Sequence, residues 1–183
     1  MEKTKHPFVI GAEYVFADPT RIYFVMKFAR GGDLFNHLKK HKRIDEKAAK
    51  FYIVNICLAI GFCHENNIIH RDIRPENILM REDGYLCLSN FGVARKLESQ
   101  DEIAKSFFGD PDLDYQSPEM IMEDGHNKSV DWWSVGILAY HFMVGYPPFY
   151  DNDVIKKGDN IVNGDVTFPA DIQISDQART FIL

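Results

Sequence analysis

Two polar loops bracketing a pair of short apolar runs constrain this chain more than any other feature. His70-Arg71-Asp72-Ile73-Arg74-Pro75-Glu76-Asn77 leads into Ile78-Leu79-Met80, and Tyr85-Leu86-Cys87-Leu88 leads out to Asn90-Phe91-Gly92. Between the apolar runs stands Arg81-Glu82-Asp83-Gly84, whose polarity and glycine suit a tight turn. The stretch predicts a β-hairpin whose two ends lie side by side, so that Asp72 and Asn77 converge with Asn90 at one mouth. A carboxylate able to accept a hydroxyl proton, a cation two residues on at Arg74, and amide oxygens able to face a metal ion are parts that phosphoryl transfer needs.

The first loop resembles the catalytic loop of eukaryotic protein kinases, H-R-D-L-x-x-x-N. Three more motifs follow in that family's order. Asn90-Phe91-Gly92 stands where D-F-G is expected and Ser117-Pro118-Glu119 where A-P-E is expected. Asp131-Trp132-Trp133-Ser134-Val135-Gly136 resembles the central helix of the large lobe, and Met26-Lys27-Phe28-Ala29-Arg30-Gly31-Gly32-Asp33-Leu34 resembles a hinge. The Arg74-Pro75-Glu76-Asn77 ending is of the serine/threonine type, and Gly145-Tyr146-Pro147-Pro148-Phe149 matches the cyclic-nucleotide-dependent (AGC) group. The resemblance implies an α+β, protein-kinase-like fold: a mainly helical C-lobe with a two- to three-strand remnant of the N-lobe. Residues 1–27 are the N-lobe remnant and start of the hinge, and 28–183 the C-lobe, incomplete at its C-terminal end.

Composition sets the outer bounds. A chain of 183 residues with 45% apolar and 13% aromatic residues can bury a core, which argues against disorder. A net charge of -6 argues against nucleic acid as a partner, and the basic run Lys39-Lys40-His41-Lys42-Arg43 reads as a solvated helix end. Cys57, Cys63 and Cys87 sit in apolar segments without metal-ligand spacing, as small buried hydrophobes of a reducing compartment do. The longest candidate membrane span, Trp132 to Val144, is too short and contains His141, so a cytoplasmic protein without a membrane segment is expected.

Along the chain, His6-Pro7-Phe8 opens two short strands, Tyr14-Val15-Phe16 and Ile22 to Met26, joined by Ala17-Asp18-Pro19-Thr20. Gly31-Gly32 ends the second. Asp33 to Lys40 should form a short helix with Leu34, Phe35 and Leu38 on its apolar face. Asp45 is a good cap for the long helix that follows, whose density of apolar residues predicts that it is largely buried. Val93 to Gln116 is polar and aperiodic and reads as a long functional loop. Asp131 is expected to cap the tryptophan-bearing helix, and Gly145 and the two prolines to end it.

Residue roles come from the resemblance. Asp72, Arg74 and Asn77 would be catalytic, and Asn77 and Asn90 would face magnesium. Met26 would be the gatekeeper, Phe28 part of the hinge and Leu79 the floor of an ATP site. Asp33 and Glu76, grouped with these as cofactor-binding, also match acids that select basic substrates, though His141 stands where some relatives carry a further acid. Ser106 aligns with the phosphorylated position of the activation segment, with Arg71 as its partner.

The departures matter as much. No G-x-G-x-x-G occurs, and the 25 residues before Met26 do not match the third-strand lysine and helix glutamate that the family's small lobe supplies. Asn90 replaces the metal-binding aspartate, leaving neutral amides where magnesium sites use one or two carboxylates. One unit charge lost at about 4 Å, with an effective dielectric near 20, forfeits about 4 kcal/mol, roughly a thousandfold in rate. Arg74 replaces the catalytic lysine with a planar fork, and Asp110 stands where a threonine bridges to the catalytic loop. Glu119 lacks its usual arginine partner. Weak or absent ATP and magnesium binding is therefore expected. The leading reading is a serine/threonine protein kinase domain, incomplete and inactive as an isolated chain, acting on a protein or peptide substrate with a basic preference. The alternative is a pseudokinase acting as a binding or regulatory module, and a regulatory partner or a missing N-lobe segment is a further expected partner. A small-molecule phosphotransferase ranks last. An open strand edge and bare apolar faces predict marginal solubility.

Overall fold

A computed structural model describes residues 6–100, 102–106 and 112–183. Two strands, β1 (Ala12–Ala17) and β2 (Ile22–Met26), pair antiparallel across the turn at Asp18. The Asp18 carboxylate holds that turn by accepting from the Thr20 and Arg21 amides and the Tyr23 hydroxyl. Every residue of both strands is exposed, including Tyr14, Phe16, Ile22 and Phe24. The bare strand pair expected from the sequence is present.

The chain then crosses a short irregular link into helix α1 (Leu34–His41). Asp33 is its N-cap, accepting from the Asn36 amide at 2.8 Å, and three basic residues fill the last turn, where they complement the helix dipole. Leu34 and Leu38 are buried, whereas Phe35 is 44% exposed, so the apolar face is narrower than expected. Asp45 caps helix α2 (Glu46–Glu65) by accepting from the Lys47 and Ala48 amides. That helix buries one face only: Ile53, Ile56, Ala59, Ile60 and Cys63 are inside, while Phe51, Val54 and Leu58 are exposed. Apolar density alone could not show how many neighbours the helix would have. By length and composition α2, not the Trp132 helix, is also the one helix among the described residues that could cross a membrane.

After β3 (Ile68–Ile69) and a 3-10 turn at Pro75–Asn77, β4 (Ile78–Met80) and β5 (Leu86–Leu88) form the predicted hairpin, Leu79 opposite Cys87. Residues Phe8 to Ile10 do not join β1. They lie along β5 instead, with Leu88 donating to Phe8 and Ile10 donating to Leu88. Gly31 packs against β4 so closely that a Cβ would lie 2.6 Å from the Met80 carbonyl oxygen. Its own amide donates to that oxygen at 3.0 Å, which locks the link before α1 onto the hairpin.

The expected long loop from Val93 carries a short strand, β6 (Arg95–Lys96), antiparallel to β3, and a bridge between Ala104 and His126. Among the described residues, the rest is irregular up to α3 (Pro118–Ile121). Helix α4 (Ser129–Val144) is the most deeply buried element, with Leu138, Phe142 and Val135 packing on α2. It ends at Gly145, whose φ of 99° lies in the left-handed region and whose amide donates to His141. Helices α5 (Val154–Asn163) and α6 (Asp176–Ile182) flank it. All three cysteines are free thiols, Cys63 and Cys87 buried and Cys57 half-buried.

Candidate functional site

The hairpin brings its two loops together as the sequence predicts. Asn77 donates its side-chain amide to the Asp72 carbonyl at 2.9 Å, and Asn90 donates to the Asn77 side-chain oxygen, also at 2.9 Å. The Ser89 amide and hydroxyl both donate to the Asn77 carbonyl, pinning one loop to the other. His70 is wholly buried between them. Its Nε2 donates to the Ser89 carbonyl and its Nδ1 accepts from the Asp72 amide, which fixes the neutral tautomer. Burial lowers the His70 pKa in the same sense. The Phe91 ring meets the imidazole edge-on at 4.7 Å.

Two non-glycine residues here hold left-handed backbone, Arg71 at φ 68° and Asn90 at φ 57°. Such conformations persist only where the surroundings impose them. For Arg71 the restraint is Asp131. That carboxylate, fully buried in the first turn of α4, accepts from the His70 amide at 2.9 Å, the Arg71 amide at 2.8 Å and His64 Nε2 at 2.7 Å. It therefore does not cap its own helix, whose N-cap is Lys128. Its oxygens satisfy the catalytic-loop backbone, a use invisible in local sequence. Asn55 was missed for the same reason. From inside α2 it accepts from the Leu86 amide at 3.0 Å and holds the hairpin from behind. For Asn55 the available signal was a polar residue inside the apolar stretch from Phe51 to Cys63.

Arg74 makes two carboxylate contacts. Its guanidinium pairs with Glu76 at 2.9 Å and with Asp112 at 2.7 Å. Glu76 and Asp112, with Asp114, Tyr115, His141 and Tyr150, line a cavity of about 240 Å³. Lys157 reaches in from α5 to bind Asp114 at 2.7 Å. Burial raises the Asp114 pKa and lifts that of Tyr115 well above the usual range. His141, its pKa lowered to about 4 by burial, is neutral and accepts from the Tyr115 hydroxyl at 2.5 Å. The cavity thus sets three carboxylates against two cations.

The remaining sequence-predicted residues lie elsewhere. Asp33 bridges to Leu79, so the α1 cap and the floor residue are adjacent, but the Asp33 carboxylate is engaged by Asn36. Met26 pairs with Ala12 and is 46% exposed, and Phe28 is 87% exposed. Ser106 sits where two guanidiniums meet: Arg71 donates to its hydroxyl at 3.0 Å and Arg95 at 2.9 Å. Arg95 also binds Glu102, a partner the sequence reading did not include. Asp110 and its neighbours lie outside the described residues. Glu119 accepts from the Ser129 hydroxyl at 3.2 Å.

A divalent cation does not suit the donor set at the mouth. The Asn77 side-chain oxygen already accepts an N–H, and Asn90 brings an amide where a carboxylate would be needed.

Comparison with known proteins agrees with the motif order. The family model for the protein kinase domain matches residues 1–183. A cAMP-dependent protein kinase catalytic subunit from Dictyostelium discoideum is 38% identical over 90% of this chain and 24% of its own length. Serine/threonine-protein kinase Sgk2 from Mus musculus is 36% identical over 92% of this chain and 46% of its own length. The cAMP-dependent protein kinase type 3 of Saccharomyces cerevisiae is 39% identical over 90% of this chain and 40% of its own length. The chain spans less than half the length of these relatives. With a catalytic-type loop, a hairpin and a buried α4 carboxylate assembled in that family's order, the chain belongs to the protein kinase domain family, on its serine/threonine side.

Proposed function

We propose that this chain is the substrate-docking lower lobe of a serine/threonine protein kinase domain, which engages a basic protein segment and transfers phosphate negligibly by itself. In this reading residues 1–27 are the remnant of the upper lobe and 28–183 the lower lobe. Asp72 would take the substrate hydroxyl proton, Met26, Phe28 and Leu79 would border the adenine of ATP, and Asn77 would order the loop. The setting proposed for it is cytoplasmic.

The observation that carries the docking reading is the cavity beside Arg74. Glu76, Asp112 and Asp114 outnumber Arg74 and Lys157 by one charge, and Tyr115 and Tyr150 supply ring faces. A guanidinium from a peptide would complete the charge balance and stack on the rings. The same geometry supports low activity, because Arg74 shares its guanidinium between two carboxylates. Ser106, between Arg71 and Arg95, is the residue we propose is phosphorylated.

The test is fluorescence anisotropy with a labelled peptide carrying two arginines upstream of serine. Binding at least tenfold tighter than to the alanine-substituted peptide, and weakened by Asp112→Asn, is the expected result. Equal affinity for both peptides would refute it. Phosphate transfer to the same peptide should be undetectable. A pseudokinase acting only through partners is the second reading, and the neutral Asn77–Asn90 pair favours it.

A further inference from the structure

The two asparagines at the mouth do more than lack charge. Their orientations are fixed by the hydrogen-bond network rather than by choice of flip. Asn77 must present its NH2 to the Asp72 carbonyl, which leaves its oxygen facing the other way. Asn90 must present its oxygen toward the Gly92 amide, 3.4 Å away, which leaves its NH2 facing Asn77. The two amides therefore meet donor to acceptor at 2.9 Å, with Asn90 Nδ2 on the only side-chain oxygen that Asn77 has. The left-handed backbone at Asn90 and the turn it makes with Gly92 hold it there.

We infer that Asn90 takes the place of the divalent cation: its NH2 occupies the Asn77 oxygen and offers its second N–H to a nucleotide phosphate, so nucleotide binding at this mouth is cation-independent. This rests on the nucleotide reading of the site given above. A cation approaching the Asn77 oxygen would meet the positive end of the Asn90 amide dipole in the same position. Entry would require breaking the amide pair and rotating Asn90, which would also give up its bond to Gly92. An NH2 group has two hydrogens about 120° apart, so the one not used by Asn77 is directed elsewhere. Asn90 is exposed, and that hydrogen can reach a phosphate oxygen. An N–H donor replaces the metal bridge between protein and phosphate, at lower strength but without need of a carboxylate.

Two measurements on the 183-residue chain test this. In the first, a fluorescent ATP analogue is titrated in excess EDTA and again in 10 mM magnesium. The inference expects dissociation constants within twofold of each other for the natural chain, and at least tenfold tighter binding in magnesium for Asn90→Asp. Tenfold tighter binding in magnesium by the natural chain would overturn it while leaving the nucleotide reading intact. No saturable binding in either condition would overturn both. In the second, the side-chain NH2 signals of Asn77 and Asn90 are followed by NMR as magnesium is added without nucleotide. They should stay in place in the natural chain, and the Asn77 signal should move in Asn90→Asp. A saturable shift in the natural chain would also overturn the inference.

Discussion

Replacing Asp131 should unseat the catalytic loop, and the structure gives the size of the effect. Its carboxylate is fully buried and accepts three hydrogen bonds, two from backbone amides of residues 70 and 71 and one from His64. Asp131→Ala strands all three donors away from water. A stranded buried donor costs about 1–3 kcal/mol and a broken buried ionic partner about 3–5 kcal/mol in total, so a loss of about 4 kcal/mol is expected. Asp131→Asn is the graded control. Its single oxygen can serve the side that takes His64 and the His70 amide, while its NH2 then faces the Arg71 N–H. One bond is lost and one donor pair repels, for about 2 kcal/mol. At roughly 2–4 °C per kcal/mol for a domain of this size, the melting temperature should fall by about 8–16 °C for alanine and 4–8 °C for asparagine. Circular dichroism melts measure both. If alanine lowers the melting temperature by less than about 3 °C, or asparagine costs as much as alanine, the carboxylate is not what restrains the loop.

Two further perturbations test separate parts of the account. His141 has a folded pKa of about 4 against an ordinary 6.5, so the unfolded chain binds the extra proton first as pH falls. Its contribution is complete above pH 6.5 and is lost towards pH 4, up to about 3 kcal/mol. His141→Gln keeps an acceptor for Tyr115 but does not titrate. Its urea midpoint should therefore fall less than that of the natural chain between pH 7 and 4, and parallel profiles would contradict the assignment. Gly31→Ala drives a Cβ to 2.6 Å from the Met80 oxygen, so the link before α1 must shift at a cost of about 1–3 kcal/mol. Hydrogen exchange at the Gly31 and Met80 amides should accelerate, and unchanged protection would show that the close approach is dispensable.

What the sequence disclosed and what it hid divide along the range of the interactions. The hairpin was legible because apolar triplets and a glycine turn act within eleven residues, Ile78 to Leu88. The caps at Asp33 and Asp45, and the left-handed stop at Gly145, were legible because each acts within a few positions of itself. The burial of α2 was not, since which of its apolar residues are covered depends on α4, about eighty positions on, and Phe51, Val54 and Leu58 are left outside. Asp131 was misread as a helix cap for the same reason: its partners are 60, 61 and 67 positions away. At the mouth, substitution of Asn for an expected aspartate was plain, and its loss of charge could be reckoned from the residue type alone. The donor that comes with it could not. A carboxylate at that position could only accept, whereas the amide both accepts from Gly92 and donates to Asn77, so the substitution both lowers the attraction for a cation and fills its place. Arg74 shows the same asymmetry. Sequence retains its charge, but only the fold reveals Asp112, 38 positions on, as a partner of its guanidinium.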